Sequence, residues 1–161
     1  MGAVRRTLLL VLSLGLILAA CGGEGTPVHG FAGNRIQVRI QTASGVIELM
    51  DLDVARTPEA RAHGLMGVES LPKDGGIVFL WDAPTTDAFW MKDTLIPLSV
   101  AFFNGDGRIT AILDMTPCRA DPCELYRAPG SYVGAIEMNR GAFERLGVKV
   151  GDTVEYTLLS E

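Results

Sequence analysis

Leu98-Ser99-Val100-Ala101-Phe102-Phe103, then Asn104-Gly105-Asp106-Gly107, then Arg108-Ile109-Thr110-Ala111-Ile112-Leu113-Asp114-Met115 is the stretch that decides the fold class. Its outer thirds are rich in β-branched and aromatic residues, and its middle is a hairpin turn signal. Leu98, Val100 and Phe102 fall on one side of the outgoing strand. Ile109, Ala111 and Leu113 point inward on the returning one, so the pair reads as a β-hairpin with one buried face.

The same reading extends in both directions. Upstream, Phe89 to Lys92 reads as a strand, Asp93 to Pro97 as a loop, and Ile77-Val78-Phe79-Leu80-Trp81 as a short buried strand ended by Pro84. Thr57-Pro58-Glu59-Ala60 starts a helix, with Thr as N-cap and Pro in the first turn, and a stop is predicted near Gly64 or Gly67. Leu65 and Met66 follow as core plugs. Arg35 to Thr42 alternates cleanly, with Ile36, Val38 and Ile40 on one face. Val46 to Val54 pairs with it, and its apolar parity switches from Ile47 and Leu49 to Met50, Leu52 and Val54, the mark of a bulge or bend. Downstream, Tyr132 to Met138 is a strand, Arg140 to Gly147 a short helix, and Thr153 to Leu159 a last strand. The sum is a mainly β (α+β) domain: a compact β-barrel or strongly curved antiparallel sheet of about seven to eight short strands with two short helices.

The 161 residues divide unequally. Met1 to Ala20 carries Arg5 and Arg6, then an apolar run from Leu8 to Leu18, a secretory signal pattern too short to span a bilayer comfortably. Residues 21–34 are dominated by Gly, Pro and polar side chains and read as a flexible tether. The globular domain is expected over 35–161. The chain carries a net −5, and loss of Arg5 and Arg6 with the leader leaves 12 basic against 19 acidic residues, or −7. An acidic domain argues against nucleic acid and against direct contact with anionic lipid.

Leu18-Ala19-Ala20-Cys21 resembles the lipobox of bacterial lipoproteins, which implies lipidation at Cys21 and an extracytoplasmic, lipid-anchored location on the periplasmic or outer face of a cell membrane. Cys118 and Cys123 then remain. Lacking CxxC spacing or a nearby His, and lying outside the cytosol, they read as a structural disulfide in preference to a metal or redox pair.

Gly64-Leu65-Met66, Gly76-Ile77-Val78-Phe79, Phe89-Trp90-Met91-Lys92-Asp93-Thr94 and Ile96-Pro97-Leu98 together resemble the domain-of-unknown-function family 192, also known as uncharacterised protein family 0127. Phe102, Cys118, Tyr126, the Tyr132 to Glu137 strand and Gly151-Asp152 extend the likeness from about Val38 to Leu159. The resemblance implies a compact β-rich fold, often exported, and no established activity. The chain departs from the pattern at Val68, where a basic residue is common.

The densest group of site-like side chains is Trp90, Lys92, Asp93 and Glu137. The plainer reading makes Trp90 a core aromatic and Lys92 half of an ion pair with Asp93 or Glu137. The sharper one has the four line a pocket for a small polar or glycan ligand, Lys92 meeting an anionic or hydroxyl group. No catalytic residue is assigned: the domain's one histidine, His63, sits on a short helix before Gly64 and reads as a surface residue, and no spacing singles out Asp93 with Glu137 or Asp114 as an acid–base pair. Met50, Met66, Met91, Met115 and Met138 are scattered through apolar segments and read as packing, so neither a metal nor a cofactor is expected. The expectation is a non-catalytic binding or accessory module of the cell envelope. The alternatives are a glycan hydrolase using two carboxylates and a purely structural envelope protein.

Overall fold

The computed structural model describes residues 35–159. The expected signal (1–20), the expected lipidation site Cys21 and the expected tether (21–34) lie outside them. Nine strands and two short helices follow one another: β1 (Arg35–Thr42), β2 (Gly45–Ala55), α1 (Pro58–His63), β3 (Gly76–Thr85), β4 (Phe89–Trp90), β5 (Leu98–Phe103), β6 (Ile109–Met115), β7 (Leu125–Tyr126), β8 (Tyr132–Asn139), α2 (Ala142–Leu146) and β9 (Thr153–Leu159).

Seven strands form one sheet in the order β6-β5-β8-β3-β2-β1-β9, and β4 pairs with β7 in a separate two-stranded ribbon. This corrects two expectations. The sheet is mixed, because β2 and β3 run parallel, joined by a crossover through α1. Nor is the barrel closed. β6 and β9 are the sheet's edges and meet at one end through the Arg108–Thr153 bridge and the Val154 N–H to Gly107 carbonyl bond of 2.7 Å. A Cβ on Gly107 would lie 2.3 Å from the Val154 carbonyl oxygen, so this seam demands glycine. At the opposite end of β1, Arg35 is the cross-strand partner of Leu159.

The parity switch in β2 is a bulge. Ile36 pairs with Leu52 and Val38 with Leu49, leaving one extra residue on β2, and Asp51 takes a left-handed φ of 59° there. Leu52 and Val54 are buried as expected. Met50 is not; it is 57% exposed, because the switch falls after it. Arg35 crosses to the bulge and donates to the Asp51 and Asp53 carboxylates at 2.6 Å each, and also to the Asp51 carbonyl.

The hairpin that opened the sequence reading forms as expected, β5 against β6, except that all six β5 residues are buried. A strand covered on both faces reads as a continuous apolar run. Ala101 and Phe103 enter the layer inside the curl, with Ile36, Val38, Leu52 and Phe143 of α2. Leu98, Val100 and Phe102 enter a second layer on the outer face of β3, β5 and β8, covered by Leu65, Phe89, Met91 and Met115. Burial of each such large side chain contributes about 2 kcal/mol.

Candidate functional site

α1 is built as its sequence dictates: Thr57 Oγ1 accepts from the Ala60 N–H, Pro58 sits in the first turn, and Gly64 closes the helix at φ 48°. None of its residues is buried, yet it roofs the outer layer. Between the two lies a pocket of about 280 Å³. Arg61, His63 and Met66 line it from the α1 side, Phe79 and Trp81 from β3, Phe89 and Trp90 from β4, and Glu137 from β8.

The aromatic walls brace one another. Phe79 and Phe89 meet edge to face at 5.0 Å, and Trp81 meets Tyr132 at 5.1 Å. Tyr132 is held in turn by donating its hydroxyl to the Asp87 carbonyl at 2.9 Å, and burial raises its pKa. The Arg61 guanidinium stands 5.0 Å from the Trp81 ring centre and donates to the Arg56 and Leu80 carbonyls, so it is fixed on the wall.

Glu137 is the polar group of the floor. Its cross-strand neighbours Ile77 and Val100 are fully buried, and Glu137 itself is only 4% exposed. β3 presses so close here that a Cβ on Gly76 would lie 2.2 Å from the Glu137 carbonyl oxygen. Every fully buried side-chain nitrogen or oxygen among the described residues has a hydrogen-bond partner. The Glu137 carboxyl takes none from the described residues, and Glu137 lines the pocket. Burial alone pushes its pKa up to about 8, so the carboxyl is largely protonated at neutral pH.

Against this frame of strands and pocket, a family model matches residues 39–156, described as "Uncharacterized ACR" and known as DUF192. The chain belongs to this family. A DUF192 membership names no activity. Two solved structures are similar to it. One, from Sinorhizobium meliloti 1021, is described as a "putative transcription regulator"; it is 30% identical, with a TM-score of 0.71 over 77% of this chain and 95% of that one. The other, a protein of unknown function from Novosphingobium aromaticivorans DSM 12444, is 32% identical, with a TM-score of 0.72 over 81% of this chain and 90% of that one. No curated protein matches the chain significantly.

The block most specific to DUF192 separates in space. Trp90, 46% exposed, and Glu137 share the pocket. Lys92 and Asp93 are not among its lining residues. Lys92 pairs with neither expected acid; its ammonium meets Asp121 at 3.2 Å, both side chains well exposed. Such a pair contributes little. Asp93 adopts φ 54° in a turn pinned on two sides: its carbonyl accepts from the Gly67 N–H, and the Met91 carbonyl accepts from Thr94 and Cys118. Lys92-Asp93 is therefore a stitch between the loop after α1 and the Cys118–Cys123 loop, whose disulfide is formed with Cα atoms 5.5 Å apart. Asp114, the other acid weighed as a partner for Asp93, accepts from Ser99 and Arg140 away from the pocket. The sequence reading missed Arg61, Trp81 and Asp87 as pocket residues. The available signal was Trp81, a large amphipathic ring following the buried run Ile77-Val78-Phe79-Leu80.

Proposed function

We propose that the chain is a lipid-anchored, extracytoplasmic module of the cell envelope that binds a small molecule in the pocket under α1 without transforming it. The observation that carries the binding half is Glu137: a residue only 4% exposed, whose carboxyl takes no hydrogen bond from the described residues and which lines an aromatic pocket. Such a group costs stability unless a ligand completes it. The anchoring half rests on Leu18-Ala19-Ala20-Cys21. Binding is favoured over glycan hydrolysis because the acids weighed for that reaction, Asp93 and Asp114, do not line the pocket, and Asp87, which does, is tied by its carbonyl to the Tyr132 hydroxyl. The regulator description of the Sinorhizobium protein finds no support in a chain of net charge −5.

Two measurements test the reading. Cys21→Ser should move the protein from the membrane fraction to the soluble one; continued sedimentation with membranes would remove the anchor. A thermal-shift screen of that soluble variant against small-molecule classes should give hits that disappear on Glu137→Gln or Trp90→Ala. Hits untouched by both changes would place the ligand elsewhere.

A further inference from the structure

We propose that the ligand of this pocket is an organic cation, an alkylated ammonium seated between the Glu137 carboxylate and the aromatic walls formed by Phe79, Trp81, Phe89 and Trp90. This deepens the binding reading above and rests on it. Aromatic faces carry negative potential and attract ammonium groups, most strongly when water is excluded. Four aromatic side chains line this pocket, and Trp81 already holds one cation, the Arg61 guanidinium at 5.0 Å. An anion would be opposed by Asp87 on the lining, and by Glu137 wherever that carboxyl is ionised. A neutral hydroxyl would offer Glu137 only a hydrogen bond, whereas a cation adds direct attraction between opposite charges in a site poor in water.

The charged groups around the site do not reverse this. Arg61 is committed to the Arg56 and Leu80 carbonyls and to the Trp81 face. His63 lines the α1 side, and Thr94 adds a neutral hydroxyl. Asp87 opposes Arg61 in sign on the same lining. An alkylated ammonium also fits by size: about 280 Å³ accommodates a small branched cation.

The two tryptophans of the chain, Trp81 and Trp90, both line the pocket, so intrinsic fluorescence reports on it directly. The probes are choline and its neutral carbon isostere, dimethylbutanol, titrated into the full-length chain, in detergent where the anchor requires it. Choline should change the emission saturably, with at least tenfold tighter binding than the isostere. Seating the cation drives the proton off Glu137, so choline affinity should rise by roughly tenfold or more between about pH 6 and pH 8, while the isostere's stays flat or falls. Glu137→Gln should abolish that pH dependence and the preference for charge, and Trp90→Ala should weaken choline binding while Trp81 still reports. If the isostere binds as well as choline, the cation assignment is overturned and the pocket reading stands. Choline binding that keeps its pH dependence in Glu137→Gln overturns it too. If neither probe alters the emission, the cation assignment falls, and the wider screen with the same variants decides the pocket reading separately.

Discussion

Glu137 is stable in its site only as an acid. Its pKa is about 8 in the folded chain against an ordinary 4.5. Between those values the folded protein holds a proton the unfolded chain has released, so stability falls as pH rises through that window and levels off above it. Glu137→Gln removes this loss. Thermal denaturation should find variant and parent alike near pH 4, with the variant more stable near pH 8 by an amount on the order of a few kcal/mol. The same substitution that ends binding should thus strengthen the empty fold. Asp93 is the second residue whose conformation matters more than its charge. At φ 54° with an exposed side chain, Asp93→Gly should stay within about 1 kcal/mol of the parent in urea denaturation, whereas Asp93→Val should lose about 1–2 kcal/mol. Which of these residues share a site was only half legible in the sequence. Glu137 betrayed itself as an acid amid Val133, Ala135 and Ile136. Lys92 did not reveal Asp121, which is 29 residues away and reaches it by the course of the Cys118–Cys123 loop.

Among the elements, β2 shows how a local irregularity is held by a long-range contact. The bulge turns Asp53 into the protein, where its side chain is 2% exposed, and Arg35 from β1 neutralises it. Burial still raises the pKa of Asp53, the Arg35 charge opposing it only in part. Arg35→Ala leaves that acid without its cation and should cost about 3 kcal/mol by urea denaturation. Asp53→Asn in the same chain should recover part of the loss, because an amide needs no counter-charge. The bulge itself was readable from Leu49 and Leu52 lying three apart in a period-two strand, although the sequence placed Met50 on the wrong side of it. Alternation reports which face a residue occupies, not which strand lies beside it. For that reason strands β1, β2, β5, β6, β8 and β9 were found near their true bounds, while the parallel pairing of β2 with β3 was not foreseen. The two-residue strands β4 and β7 are too short for periodicity to register, and β4 was drawn too long.

On the scale of the whole molecule, the sheet curls until its edges touch at one end and leaves them apart elsewhere. Tyr156 and Leu158, paired with the buried Val38 and Ile36, accordingly stay 46% and 42% exposed on an inward-directed face. The expected barrel failed for this reason: the apolar pattern of β9 is that of a closed wall, and among the described residues no further strand pairs with it beyond β1 and the Arg108–Thr153 bridge. The pocket is independent of this opening, because it sits on the outer layer under α1.

The pairing of Arg35 with Leu159 brings the first and last described strands side by side. The natural order of the strands is then not the only one that can make this sheet. A circular permutant that joins 159 to 35 through a short Gly-Ser linker and starts at Ser44, in the turn between β1 and β2, changes no strand pairing. It should fold with a circular dichroism spectrum and Trp fluorescence like the parent's. Its new amino terminus would lie at the far end of β1, so a lipid or surface attached there would suspend the same pocket in the opposite orientation.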